Sequence, residues 1–564
     1  MYIVSVMSKH ILLRRCRPHL FSSFRRVQRA HPTPSFTSSS CVREHDVTHD
    51  YEKRVAQLQA NRPLAECYPR LSEEVAWRRV DRTSLDNQYG HLKPDETYSD
   101  ALDPLVGRVQ SVRTAGSKLV FIDINTFSGN IQAVCQFSKL QQEDSNITIE
   151  SFKAFGKLIR KGDFWSVVGH AHRTARGELS VRATELPTLL SPSLHQIPEA
   201  LEDPEARARA RHVDMLVNAE AIQTLQVRHH VEATMQQFFN ERGFTKVTTP
   251  LLGAGAGGAA ARPFETEATE LAGEKLNLRI APELWLKRLV VGGMDRVYEM
   301  GPAFRNEGVD ATHNPEFNIC EFYQAYATLE TLTLRTEELI HSLKGQMQAL
   351  REEGIFKDLP DIDPILEKDF AMIEFIPALE EKLEVKLPAL QSADAYDQVL
   401  ELFKRHNIAV PSNPTLARLL DAFSAHYLEP NSFDQPIFIT NHPACMSPLS
   451  KHFTCEKTGQ IVAARAELFI NGREYANMYE EENSPIEQRR KFEEQLKQRE
   501  TNKEAMELDE SYLKALEWGL PPTGGWGCGV DRLVMLFSGR ERISDVLAFG
   551  SLRNVVGLGS GRRG

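Results

Sequence analysis

The sequence predicts an α+β chain in which a small β-barrel precedes a larger domain of mixed strands and helices. Three observations carry that reading. Five short β-rich runs fall between Leu105 and Pro187, broken by Gly, Ser and Asn, as in a small Greek-key barrel of the OB-fold type. Past a proline-rich stretch, Val227, Val231, Met235 and Phe238 recur at helical spacing. Extended runs then return near Glu316, Ala466 and Gly524, the last leading into a second amphipathic helix.

At 564 residues the chain exceeds what one core supports, so two or three domains are expected. Its 41% hydrophobic and 26% charged content is that of an ordinary globular protein. A net charge of −10 gives nucleic-acid binding no support, yet a basic patch can sit on an acidic protein. The eight cysteines show neither CxxC nor ligand-like spacing, which argues against a zinc site or a disulfide framework. No apolar run approaches the ~18 residues of a membrane span, so no membrane partner is expected.

Residues 1–43 contain no Asp or Glu, while Arg14, Arg15, Arg17, Arg25, Arg26, Arg29 and Arg43 are interleaved with serines. That is transit-peptide composition, and residues 1–45 are expected to direct import into the mitochondrial matrix. Residues 46–100 read as a helical extension followed by polar linker. The barrel occupies 101–190, with Phe121 and Gln132 in adjacent strands, where base stacking and base-edge contacts would use them. A linker fills 191–205.

The long helix stops at Gly243, a left-handed cap, and TKVTTPLL reads as a strand ending at Pro250. The Gly/Ala-rich run 253–264 ends in Arg-Pro-Phe and reads as a loop closing over a ligand. Glu283 follows Pro282 in the first turn of a helix. Residues 328–430 read as a helical insertion without chemistry, and 484–500 as a charged, solvated helix.

The candidate chemistry begins at Phe304–Tyr326. Arg305 and Glu307 precede a turn-rich loop holding Gly308, Asp310, Asn314 and Pro315. In the strand that follows, Phe317, Ile319, Glu321 and Tyr323 share one face. Phe317 and Glu321 then lie roughly 13 Å apart, room for a flat group at one end and a cation at the other. An arginine one strand away suits a phosphate between them. In Ala466–Glu482, Asn471-Gly472 is a strong hairpin signal that sets Phe469 opposite Glu474. Glu467 and Glu474 then become diagonal neighbours roughly 7–8 Å apart, able to share a hard cation such as magnesium. Strict alternation turns Asn477 to the other face unless a bulge intervenes. In GGWGCGVDRLVMLFSG, a Gly-rich strand meets a helix start carrying Asp531 and Arg532, an arrangement that suits a phosphate.

Taken in order, GGAAARPF, APELWLKRLVVGG, FRNEG, HNPEF, CEFYQAY, ELFINGRE and GVDRLVML resemble the motifs of class II lysyl-tRNA synthetases across about residues 100–550. The resemblance implies an OB-fold anticodon-binding domain joined to a class II catalytic domain at 206–555, built on an antiparallel sheet flanked by helices. It implies a homodimer joined through the helix and strand ending at Pro250. The implied activity is ATP-dependent activation of L-lysine to lysyl-adenylate, then transfer to tRNA(Lys), with Mg2+ as cofactor. Arg305 and Arg532 match the catalytic arginines at the α- and γ-phosphates. Glu307, His313, Asn314 and Phe317 complete the ATP set. Glu467 and Glu474 match the metal ligands. Glu321 and Tyr323 match the reader of the ε-ammonium, with Glu283, Asn477 and Glu481 as further lysine contacts. Phe121, Gln132 and Glu178 match the anticodon readers. Two departures stand out: Thr312 replaces an arginine of bacterial members, and Phe549-Gly550 replaces a Phe-Pro. Aspartyl and asparaginyl relatives share this architecture, but their pockets take a carboxylate or amide, against which Glu321 argues.

Overall fold

The computed structural model describes residues 44–71, 79–126, 128–255, 257–258, 261–498 and 508–559. Residues 1–43, all but the last two of the expected import leader, lie outside the described residues. The chain divides into two compact units, one closing at Glu199 and one running from Ala200 onward. Among the described residues, no helix is long and apolar enough to cross a membrane.

The first unit is the barrel. Its strands are β1 Thr97–Ala101, β2 Leu105–Thr114, β3 Leu119–Thr126, β4 Gly129–Gln136, β5 Phe164–Val167, β6 Gly169–Arg173, β7 Leu179–Ala183 and β8 Thr188–Ser191. They order β1-β6-β7-β4-β3-β2-β5-β8, all pairs antiparallel except β4 with β7. All five expected runs are strands. The fourth breaks after Val167 into β5 and β6, and β1 and β8 are short additions too small to show as periodic runs. Val109, Ile122, Ile124, Ile131, Trp165 and Val181 fill the interior.

The segment 46–100 is more structured than helix and linker. Helix α1 (Glu44–Gln59) is followed by α2 (Arg82–Tyr89), whose Asp81 cap reciprocates with Ser84. Leu58, Leu85 and Leu92 join the barrel core, and Arg54 reaches the buried Asp163 carboxylate at 2.7 Å. One apolar residue per turn suffices to dock such a helix, and the polar composition hid it. Between β4 and β5, α3 (Ile149–Leu158) buries Phe152, Phe155 and Leu158.

The second unit is organised on an eight-stranded sheet. The chain enters it through α4 (Ala219–Glu241) and β9 Thr245–Lys246. A small sheet follows, β10 Leu252–Gly253, β11 Glu265–Glu267 and β12 Lys275–Leu278. Helix α5 (Glu283–Val291) leads to β13 Arg296–Phe304 and β14 Glu316–Ala325, and α6 (Leu329–Glu352) to β15 Ala371–Glu374. Helices α7 (Phe375–Leu383), α8 (Ala395–Arg405) and α9 (Leu416–Tyr427) precede β16 Ile437–Thr440. After the ribbon β17 His452–Thr454 and β18 Ile461–Ala463 come β19 Arg465–Ile470, β20 Arg473–Glu480 and α10 (Pro485–Gln498). The unit closes with α11 (Glu510–Leu516), β21 Thr523–Gly529 and α12 (Val530–Ser538).

The sheet order is β15-β16-β19-β20-β21-β14-β13-β9, antiparallel at every inner pair and parallel only at the two outer ones. Helices α4, α6 and α12 cover one face, where Val227, Val231, Met235, Leu343, Phe322 and Trp526 interlock. Helices α5 and α11 contribute to the packing on the other face, which carries the site.

Three expectations change. TKVTTPLL yields only the two-residue β9, because Thr249 donates its N–H and hydroxyl to the Glu299 carboxylate instead of a strand ladder (3.1 and 2.6 Å). The insertion expected over 328–430 divides: α6 belongs to the main core through Leu332, Leu339 and Leu343, and β15 extends the sheet. Only α7 to α9 form a separate cluster, around Phe375, Leu379, Phe403 and Phe423. Helix α10 is not wholly solvated, since Phe492 is buried and Lys491 donates to Glu482 at 2.6 Å and to the Ser450 carbonyl at 2.8 Å.

Candidate active site

Strand register assembles the site. Glu299, Glu321, Gly527, Asn477 and Glu467 lie opposite one another on successive strands, forming one row across the open face. The next row is Tyr323, Gly525, Tyr479 and Arg465. Glycines on the middle strand leave room between the charged flanks.

At one end is an acidic pocket. The first turn of α5 supplies Glu283, β14 supplies Glu321 and Tyr323, and the residue after β20 is Glu481. All four are fully or almost fully buried. Tyr323 donates to Glu321 Oε2 at 3.2 Å, and Tyr479 donates to Glu283 Oε1 at 2.7 Å. Glu321 Oε1 and Glu481 Oε1 are buried without a hydrogen-bond partner among the described residues. Burial pushes both carboxyls up to about 7, against the pull of the Tyr323 hydroxyl and Arg305 on Glu321 and of Lys287 on Glu481. Lys287, which the sequence reading missed, is fully buried between Glu283 and Glu481. Burial opposes its charge, but Glu481 and its neighbours prevail and hold the ammonium above its ordinary range.

Beside this cluster is a pocket walled by Arg305 and Arg532 together with Glu307, Glu474 and Asp531. Arg305 is buried 5.0 Å from the Phe317 ring centre, with the Glu307, Glu321 and Glu474 carboxylates around it. Arg532, from the first turn of α12, donates Nη1–H to the Glu474 carbonyl at 2.7 Å, while Nη2 meets His313 Nε2 at 3.2 Å. His313 Nδ1 faces Asp310 Oδ2 at 2.9 Å. These neighbours fix a neutral tautomer, protonated on Nδ1 and accepting on Nε2. Burial, then Arg532, hold the imidazole below its usual pKa. Asn314 lines this pocket but also braces the loop, donating to the Glu316 carbonyl at 2.6 Å and accepting from Leu552 N–H at 3.0 Å. Thr312, at the departing position, donates its N–H to Asp310 Oδ1 at 2.7 Å and so stiffens the same loop. Asp531 ties the helix start to its surroundings: Oδ1 pairs with Arg228 on α4, and Oδ2 accepts from Asn318 N–H at 2.8 Å.

The hairpin turns at Asn471 (φ 52°) and Gly472 (φ 71°), the left-handed pair of a type I′ turn. Phe469 stands opposite Glu474 as expected, but Leu468 stands opposite Ala476. Tyr475 is therefore an extra residue, a β-bulge, and it returns Asn477 to the face of Glu474. Asn477 Nδ2 donates to Glu467 Oε1 at 2.7 Å and Glu474 Oε1 at 3.4 Å, so in this structure it sits with the hairpin carboxylates more than with Glu283 and Glu481. Burial would raise Glu467, yet Arg465 and His442 overcome it and hold that carboxyl well down. Burial and the neighbouring Glu467 hold Glu474 up. A divalent cation fits between them, because it would relieve the repulsion that raises Glu474. Among the described residues no cluster of three or more His, Cys, Asp or Glu converges, so phosphate and water oxygens would complete its shell.

On the barrel, Val120, Ile122 and Ile124 point inward, leaving Phe121 on the outer face with the Arg113 guanidinium 5.7 Å from its ring. Gln132, one strand over, accepts from Ser180 at 3.3 Å and donates to Glu178 at 3.0 Å. The three barrel residues are thus brought together on one sheet face. Arg113 and Arg182, opposite Phe121 and Val134, were not singled out by sequence.

Comparison with known proteins agrees with this architecture. Residues 203–553 match the family of class II tRNA synthetases (D, K and N), and residues 105–189 match the OB-fold nucleic acid binding domain. The mitochondrial lysine–tRNA ligase of Schizosaccharomyces pombe is 44% identical over 459 residues, spanning 80% of this chain and 84% of that protein. A lysine–tRNA ligase of Staphylococcus epidermidis is 37% identical over 467 residues, spanning 82% and 89%. A probable cytoplasmic lysine–tRNA ligase of Encephalitozoon cuniculi is 37% identical over 464 residues, spanning 79% and 86%. The chain belongs to the class II tRNA synthetases and is a lysine–tRNA ligase.

Proposed function

We propose that the enzyme activates L-lysine with magnesium–ATP and transfers the lysyl group to tRNA(Lys) in the mitochondrial matrix. The observation that carries the reading is the buried cluster of Glu283, Glu321 and Glu481 on the same sheet face as the Arg305–Arg532 pocket. Lysine's own carboxylate is ionised at neutral pH, so its attack on the ATP α-phosphate needs no general base. Catalysis is then in-line positioning with neutralisation of developing charge. Arg305 meets the α-phosphate and Arg532 the γ-phosphate, while Phe317 stacks on adenine and Glu307 takes its edge. His313 and Asn314 hold the phosphate loop. Glu467 and Glu474 would hold Mg2+, which when bound screens the phosphate charge. Asn477 orients both carboxylates and borders the amino-acid pocket. In the amino-acid pocket, Glu321 with Tyr323 reads the ε-ammonium, and Glu283 and Glu481 complete the lysine contacts. ATP–pyrophosphate exchange with each of the twenty amino acids tests the whole reading. Lysine alone should support exchange, and exchange with aspartate or asparagine instead would overturn it.

Three further expectations follow from the geometry. A Cβ on Gly525 would collide with Glu481 Oε1 and fall 2.6 Å from the Tyr323 ring. Gly525→Ala should therefore displace Glu481 and raise the lysine KM by roughly a hundredfold, with much less effect on the ATP KM.

The second concerns pH. Glu321 and Glu481 titrate at about 7 in the empty pocket, above the ordinary 4.5. A bound ammonium favours their ionised form, so lysine affinity should rise with pH up to about 7 and then level off. Below that, it should weaken about tenfold per pH unit for each group that must lose a proton. The same raised values stabilise the empty enzyme below the unfolded pKa, a contribution lost as pH climbs through 7. Calorimetric titration of lysine between pH 5.5 and 8.5 reads the binding effect directly; a flat profile would remove it.

The third concerns the barrel. Phe121, Gln132 and Glu178 read the anticodon, so Phe121→Ala should weaken tRNA binding by about 1–3 kcal/mol. Pyrophosphate exchange should stay unchanged. Filter binding beside exchange separates the two.

The homodimer is inferred from the motif ending at Pro250, beside which Ile222, Leu251 and Leu252 are exposed. Sedimentation should give twice the chain mass. A reporter fused to residues 1–45 should enter mitochondria.

A further inference from the structure

The acidic pocket holds a cation of its own. Glu283 and Lys287 are four residues apart on α5, so their side chains leave the same helix face. Lys287 Nζ donates to Glu283 Oε1 at 2.6 Å and pairs with Glu481. The rings of Tyr323, Tyr479 and Tyr512 centre 5.8, 5.7 and 5.8 Å from the same nitrogen, shutting it from water and adding cation–π attraction. Tyr479 also donates to the Glu283 oxygen that Lys287 holds. Glu321 faces this cluster from β14, bonded to Tyr323, with Arg305 and Arg279 as the nearest arginines beyond it.

A buried ammonium with no solvent is costly unless it is matched, and matching one carboxylate would suffice. This one touches two. When Glu283, Glu321 and Glu481 are ionised, three negative charges less one resident positive charge leave two. L-lysine brings two ammonium groups, at its α and ε positions, while its carboxylate is turned toward ATP. With Arg305 engaged by the α-phosphate and the substrate carboxylate turned to it, the count over these three carboxylates closes only with Lys287 present.

We propose that Lys287 is a positioning residue: a resident counter-ion that sets the pocket's capacity at two substrate ammonium groups and holds Glu283 and Glu481 in place to receive them. The inference rests on reading this acidic cluster as the lysine site. An amino acid with one ammonium leaves a negative charge buried and unmatched, so Lys287 contributes to selection without touching the reacting atoms.

The test is Lys287→Met, which keeps length and removes charge. Three carboxylates then face one another, and the closed pocket should retain an extra proton that lysine must displace. Titration of L-lysine at pH 8 in buffers of differing ionisation enthalpy should show the variant releasing about one proton more per lysine than the parent. Its lysine KM should rise at least about tenfold, with kcat and the ATP KM within about threefold. Methylammonium should partly restore lysine affinity in Lys287→Ala, by refilling the vacated cation position. Equal proton counts with an unchanged lysine KM overturn the proposal. Should the Met variant not fold, Lys287→Arg keeps the charge and must reproduce the parent's proton count; an extra proton there overturns it equally. If Glu321→Gln also leaves lysine binding unchanged, the pocket assignment itself fails; if Glu321→Gln weakens it and Lys287→Met does not, only the role of Lys287 fails.

Discussion

Glu321→Gln should lower kcat/KM for lysine by roughly two to three and a half orders of magnitude while the ATP KM changes little. Glutamine retains the bond from Tyr323 and nearly the same volume, so packing is preserved and only the charge is lost. The incoming ammonium then stands in a dry pocket with one partner missing. Breaking a buried ion pair from one side costs about 3–5 kcal/mol, which converts to the stated loss at 1.4 kcal/mol per decade. The effect should fall on KM, because lysine's ammonium groups are equally charged before and during reaction. A variant with parental lysine kinetics would show that another carboxylate reads the side chain.

Arg305→Ala should act on the opposite quantity. Its guanidinium is buried beside Phe317, where water cannot substitute for it, and three carboxylates lean on it. Removing one aimed donor from such a site typically costs 10²–10³ in kcat, and a charged one on a phosphoryl group should reach the upper end, about 4 kcal/mol. Arg305→Lys should recover only part, since a point charge replaces a planar fork. Single-turnover adenylate formation is the measurement, with tRNA binding to the barrel as the internal control. A kcat within a factor of about three of the parent would remove Arg305 from the α-phosphate.

Much of this was legible in sequence, for identifiable reasons. Period-two runs revealed five barrel strands, and the Asn-Gly turn fixed the register that pairs Phe469 with Glu474. The helix start at Glu283 showed because Pro282 precedes it. Part of what escaped was held by partners distant in sequence, and part lacked a recognisable local pattern. His442, which helps hold Glu467 ionised, lies 25 residues before it, and Arg465, two residues before it on the same strand, is marked by no motif. Asp531 was noticed beside Arg532, but its link to Arg228 spans some three hundred residues. Lys287 had a local signal, an i,i+4 Glu–Lys pair; such pairs usually lie on solvated helix faces, and only tertiary burial distinguishes this one. Helix α6 reads as part of an insertion because its charges surround the helix, although its apolar stripe closes the main core.

The bulge at Tyr475 has a consequence for how this strand can vary. Before it, even-numbered Glu474 faces the ligands; after it, odd-numbered Asn477 and Tyr479 do. One strand thereby reaches the proposed metal site at one end and the proposed lysine pocket at the other, with a phase change between them. Loss of Tyr475 or Ala476 would restore a regular pleat and keep Glu474, Asn477 and Tyr479 on the face they now occupy. Loss of one residue farther along would turn the remainder of the strand over and point Tyr479 into the helical core. Length variation in this hairpin is thus tolerable at the bulge, and a substitution scan cannot reveal it; a series of single-residue deletions can.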